Sequence, residues 1–118
     1  MREITEHKVN PINDTIRIQV LDEPGAGGAS HHYLIACGDG STQEIRFQDG
    51  PIGECGANGT TQEVLIAICL DRLRSFQQGD FGCRENALAI TKLEEAQHWL
   101  FHRTRARMER GVEGRSVV

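Results

Sequence analysis

The chain has 118 residues, with 13 Lys and Arg against 17 Asp and Glu, for a formal charge of −4. That length suits one compact domain with a modest core and excludes an enzyme built from separate cofactor and substrate domains. The acidic balance argues against a general nucleic-acid binder. No apolar run approaches the roughly 18 residues of a membrane span, and the polar start lacks a secretory core, so a soluble, unexported protein is expected.

Residues 1–14 are polar, with a turn at Pro11 and Asn13-Asp14, and read as an arm lying on another element or another subunit. Residues 15–21 alternate Ile16, Ile18 and Val20 with Arg17 and Gln19, the period-two pattern of a half-buried strand. Pro24-Gly-Ala-Gly-Gly-Ala29 ends it. No Gly-Lys-Ser/Thr follows, so this stretch reads as a hairpin turn or flap and not as a phosphate loop. Residues 31–37 and 42–48 read as two further strands joined at Gly38-Asp-Gly40. Region 1–59 is therefore expected to be a small antiparallel sheet closed by a shaped loop, because Gly50, Gly53, Gly56 and Gly59 with Pro51 continue neither strand nor helix.

Thr60-Thr-Gln-Glu63 has capping-box spacing, with Thr60 at the N-cap, ahead of a helix to Gln78 stopped by Gly79. Leu65, Cys69, Leu73 and Phe76 share one face of it. A second helix is expected from Arg84 to Arg110, ended by Gly111. So short a link between the two makes an antiparallel hairpin over 60–111, leaving 112–118 as a tail that is mobile unless it docks on a partner. The fold class is α+β.

The four cysteines form no C-x-x-C pair, and buried free thiols in a reducing compartment are expected. Glu95-Ala-Gln-His98 is a single E-x-x-H, whereas a di-iron bundle needs two such motifs and two more glutamates. His31 and His32 point to opposite faces of a strand and cannot chelate one ion together. Cys83 and His98 lie too many helical turns apart for a nucleophile pair, and no cluster of acids and bases argues for phosphodiester hydrolysis.

The basic residues carry more information. Eleven are Arg and only Lys8 and Lys92 are Lys. The second helix sets Ala89, Leu93, Ala96 and Leu100 at steps of four and three, and the same register reaches Arg103, Arg107 and Arg110. Cations near a helix C-terminus complement the macrodipole, which accounts for their presence at that end. A stripe passing from hydrocarbon to guanidinium also suits an anion, because neighbouring Arg forks can hold phosphates by charge-assisted hydrogen bonds. Phe76 and Asn86 flank the hairpin turn. In that place a Phe closes a core and an Asn caps a helix, yet together they also offer a nucleobase a stacking face and a hydrogen-bonding amide.

Several separated motifs then fall in a familiar order: Phe47-Gln-Asp-Gly-Pro-Ile-Gly, Asn58-Gly, Glu63, Asp71-Arg-Leu-Arg-Ser-Phe-Gln77, Cys83-Arg-Glu-Asn-Ala-Leu88 and Arg103-Thr-Arg-Ala-Arg-Met-Glu-Arg-Gly-Val-Glu-Gly114. Over about residues 45–114 they resemble the phage Thoeris anti-defence protein one family, which shares its hairpin domain with the phage anti-CBASS protein two. The resemblance implies a non-enzymatic sponge, without cofactor or metal, acting in the host bacterial cytoplasm as a homo-oligomer, dimer or hexamer. Its ligands would be cyclic ADP-ribose isomers, with cyclic oligonucleotides at a separate site. Carried onto this chain, Phe76 stacks on a base and Asn86 hydrogen-bonds the first ligand. Arg103 and Arg107 hold the oligonucleotide's phosphates, and Arg46 is the further Arg expected from the sheet side. The rival readings are an enzyme that cleaves cyclic nucleotides, and a regulatory or structural phage protein that binds nucleic acid or a protein partner.

Overall fold

The computed structural model describes residues 1–115 and divides the chain into two compact units, Met1–Thr60 and Thr61–Val118. The first unit is a four-stranded antiparallel meander in the order β1-β2-β3-β4. Its strands are β1 (Arg2–Ile4), β2 (Arg17–Val20), β3 (His32–Ala36) and β4 (Thr42–Arg46). The alternation in the sequence sets the faces. Register pairs Ile4 with Ile18 and Ile18 with Ile35, and Val20 with Tyr33 and Tyr33 with Ile45, which gathers the large apolar side chains on one side. Val20, 1% exposed, is the best-buried apolar residue of this unit, and Tyr33 meets Phe47 edge-on at 5.6 Å. The opposite side carries Glu3, Arg17, His32, Glu44 and Arg46, with Leu34 among them.

The polar start lies on another element, as expected, but does so as a strand of the sheet. Arg2–Ile4 forms the edge strand, where Arg17 pairs with Glu3 at 2.7 Å, and Pro11–Asp14 makes a single helical turn, α1, capped by the Asn10 side chain. Three residues are too short for a period-two pattern to be read from sequence, so this strand is visible only through its pairing. Between β2 and β3 the Ala26–Gly28 segment is a 3-10 turn with positive φ at Gly27 and Gly28.

After β4 the chain is held by side-chain amides. Gln48 Nε2 donates to the carbonyls of Gly50 and Gly56 at 3.1 and 2.7 Å, and its Oε1 accepts the Asn58 N–H. Asn58 in turn accepts from and donates to the backbone of Asp49 at 2.8 and 2.7 Å. This clasp encloses a one-turn helix, α2 (Ile52–Cys55). Gly59 then passes so close to β4 that a Cβ there would lie 2.4 Å from the Phe47 carbonyl carbon, a place only glycine fits. The close approach brings the Thr60 N–H onto the Arg46 carbonyl and the Thr60 carbonyl onto the Gln48 N–H.

Thr60 is consequently committed to the first unit. The N-cap of α3 (Gln62–Gln78) is Thr61, whose hydroxyl accepts the Val64 N–H, one residue later than the capping-box spacing predicts. In α3 the less exposed positions are Glu63, Ile66, Leu70, Leu73 and Gln77, at alternating steps of three and four, with Leu65 and Phe76 beside them. Leu70 is 1% exposed, whereas Cys69 lies outside this seam. The partner helix α4 (Arg84–Glu109) answers with Asn86, Ile90, Leu93, Gln97, Leu100, Thr104 and Arg107, again at steps of four and three. This is the geometry of an antiparallel two-helix seam. Arg74 and Glu94 bridge its edge at 2.8 Å.

Cys55, Cys69 and Cys83 are exposed and Cys37 half-buried, all as free thiols, so the expectation of buried cysteines is corrected. Cys37 follows β3, Cys55 ends α2, Cys69 lies on the outer face of α3 and Cys83 caps α4.

Candidate functional site

The closed end of the hairpin is built by its loop. Gln77 reaches across it with both amide atoms, donating to the Cys83 carbonyl at 3.0 Å and accepting the Cys83 N–H at 2.8 Å. Cys83 caps α4, its sulfur accepting the Asn86 N–H. The short crossing leaves Phe81 outside, 77% exposed, with its ring edge-on to Phe76 at 6.4 Å. Asn86 Nδ2 donates to the Phe81 carbonyl at 3.2 Å, and the Arg72 guanidinium lies over the Phe76 ring at 5.0 Å. Phe76 and Asn86 therefore share one corner through Phe81, as their flanking positions suggest. Phe81 and Arg72 were not singled out from sequence. Arg72 lies one turn before Phe76, and that i,i+4 spacing is the signal that finds it. The corner offers an aromatic face, an amide and a cation.

The Arg end differs from the expected single stripe. The seam passes from Leu100 through Thr104 to Arg107, and Ala89 and Arg103 are exposed outside it. A step of three from Leu100 reaches Arg103, but the observed step is four. Arg107 is 9% exposed, and its acceptors come from the chain's own end. Nε donates to Glu113 at 3.1 Å, and Nη2 donates to the carbonyls of Val112 and Arg115 at 3.0 and 2.9 Å. Gly111, at φ +72°, makes the turn possible: its N–H bonds the Met108 carbonyl while the Val112 N–H bonds the Arg107 carbonyl. Residues 112–115 thus dock back on α4, which corrects the expectation of a mobile tail for that stretch; 116–118 lie outside the described residues. Arg103 has no hydrogen-bond or ion-pair partner among the described residues.

Arg46 belongs to the sheet unit, exposed on the polar face of β4, and donates to Glu44 at 2.8 Å. Glu44 also accepts from His32, and these two partners, His32 first, hold its carboxyl below the usual range. His31 contacts the Ala26 carbonyl at 2.9 Å and Asp49 at 3.6 Å. The Asp22 carboxyl is likewise lowered, chiefly by the His31 backbone N–H. Among the described residues no group of three or more His, Cys, Asp or Glu could hold a metal ion, and no helix is long and apolar enough to cross a membrane.

The chain matches the Acb2/Tad1 hairpin domain over residues 39–104. It is also 51% identical over 90 residues to Thoeris anti-defense 1 of Bacillus phage SBSphiJ7, an alignment covering 76% of this chain and 63% of that protein. The chain thus spans less than two thirds of that relative's length. The matched stretch starts before the 45–114 span drawn from motifs and stops short of Arg107. It takes in the Gln48–Asn58 clasp, all of α3, the Phe76–Phe81–Asn86 corner and Arg103. On this match the chain belongs to the Acb2/Tad1 hairpin family, in which phage Thoeris anti-defence proteins share a helical domain with phage anti-CBASS proteins.

Proposed function

We propose that this protein counters Thoeris defence by sequestering cyclic nucleotide signals without cleaving them. The single observation that carries this reading is the corner where Phe76, Asn86 and Arg72 meet around Phe81. It supplies what a cyclic ADP-ribose isomer needs, a stacking face, an amide for a ring edge and a cation for the diphosphate. The name of the phage relative supports the anti-Thoeris part of this reading. A sponge holds its ligand by shape and charge, and a corner of aromatic, amide and guanidinium groups does that without chemistry.

A second class of ligand, cyclic oligonucleotides, is assigned to the other end of the hairpin through Arg103 and Arg107, with inhibition of CBASS as the consequence. Arg103 is available there, whereas Arg107 exchanges Glu113 for a phosphate. Assembly of copies, as a dimer or hexamer in the host cytoplasm, would enclose ligands more fully. The exposed apolar residues of the outer α3 face, Val64 at 47% and Ile68 at 60%, are the natural surface for it.

The test mixes the protein with each cyclic nucleotide, measures the rise in Tm, then denatures it and analyses what is released. Stabilisation with intact ligand recovered is the expected result. A linearised product would convert the reading into an enzyme that cleaves these nucleotides. No stabilisation by any cyclic nucleotide, together with salt-dependent DNA affinity, would favour the nucleic-acid-binding rival.

A further inference from the structure

We infer that Trp99 and Arg103 form a two-point grip for a nucleotide on the outer flank of α4, the indole taking a base and the guanidinium an adjoining phosphate. This rests on the reading that the chain holds cyclic oligonucleotides, and adds to it the residue that recognises the base. Trp99 is 61% exposed, an unusual position for the largest side chain of a small protein with a sparse core. Arg103 follows it by four residues, so the two side chains stand one above the other on the same face, about 6 Å apart. That step matches the separation of base and phosphate within one nucleotide.

The surroundings fit a base better than they fit a core. His98 and His102 flank the indole at 5.2 and 5.8 Å, at interplanar angles of 75° and 81°. Both imidazoles meet it steeply, so neither is stacked flat upon it, and they fix its rotamer while leaving ring surface open. Lys92, two turns before Trp99, is paired with Glu95 at 4.0 Å, whereas Arg103 has no partner of its own among the described residues. Arg107, by contrast, is occupied by Glu113 and two carbonyls of the chain end. The guanidinium ready to receive an anion is therefore the one beside the indole. Stacking on an aromatic ring tolerates any base, which suits capture of several cyclic signals.

The chain has a single tryptophan, so its emission reports this face alone. The full-length protein is titrated with cyclic triadenylate, following Trp99 fluorescence and, in parallel, heat of binding. A cyclic ADP-ribose isomer serves as the ligand for the other end of the hairpin. Saturating cyclic triadenylate is expected to quench the emission. Trp99→Ala is expected to weaken cyclic triadenylate by about 10–100-fold, the range for loss of one stacked base. Trp99→Phe retains most of the affinity, and both variants keep the helical circular dichroism and bind the cyclic ADP-ribose isomer as before. Heat of binding without any change in emission, or an unaltered Kd in Trp99→Ala, overturns the grip while leaving the sponge reading intact. Emission that shifts with protein concentration and ignores the nucleotide also overturns it, and marks the face as a contact between copies. If neither nucleotide releases heat with the wild-type protein, the sponge reading and the grip fall together.

Discussion

The two ends of the hairpin solve opposite problems. At the closed end the chain turns sharply, and the turn is tied by its own side chains: Gln77 spans Cys83, Cys83 caps α4, and Asn86 holds the Phe81 carbonyl. What protrudes is aromatic. At the open end the helix outruns its partner and ends in cations, of which one, Arg107, is answered by the chain's own tail and another, Arg103, is not. A ligand at the closed end would meet a ready surface, whereas one reaching Arg107 would have to displace the Glu113 carboxylate. The same short hairpin therefore presents a preformed corner and a competed one.

Leu70→Ala removes the seam that both ends lean on, and has the largest expected effect. Leu70 is 1% exposed, so the cavity and lost burial cost about 2–5 kcal/mol, seen as a lower urea midpoint together with loss of binding at both ends. Binding kept at one end only would show that the ends are held independently. Phe76→Ala acts on the closed end alone: loss of the stacking face weakens cyclic ADP-ribose isomers by about 1–3 kcal/mol, measured calorimetrically, with cyclic oligonucleotide affinity unchanged. Arg107→Ala strips the tail of its donor. The change costs about 1–3 kcal/mol of stability, with faster hydrogen exchange at the Val112 and Arg115 amides and no change at the corner. Glu113→Gln gives the smallest effect, because the Glu113 side chain is 43% exposed and such a pair contributes about 0.2–1 kcal/mol. Its sign is the informative part. Phosphate ligands at the open end should bind up to roughly five-fold more tightly, and weaker binding would remove Glu113 from the role of competitor.

Much of this is legible in the sequence. Ile16, Ile18 and Val20 announce a half-buried strand, Gly38-Asp-Gly40 a hairpin, and the glycines between residues 50 and 59 a shaped loop, because each reflects local backbone chemistry. The edge strand at Arg2–Ile4 was not legible, since its only evidence is Val20 and its neighbours across the ladder. The α3 cap moved from Thr60 to Thr61 for a tertiary reason: Gly59 lets the backbone touch β4, and Thr60 is used up there. In the candidate site, Phe76 and Asn86 fell into one corner as their places beside the turn suggest. The Arg stripe was misread by one residue. Ala and Leu at steps of three and four allow two registers, and packing against α3 as far as Leu100, continued by the chain end docked over Arg107, selects the one through Thr104 and Arg107. That Arg107 is answered from within the chain depends on Gly111 and Glu113 together, a fold-back that no periodicity encodes.

The unequal lengths of the two helices have one further consequence. At 26 residues against 17, α4 projects beyond α3 by nine residues, about 13 Å of rod at the usual helical rise. That projection has no second helix to lean on, and the buried guanidinium of Arg107 fastens the chain end beside it. The stretch shared with the family closes at residue 104, just inside this overhang. A change of charge or length at the tip therefore leaves the packing of α3 on α4 as it is.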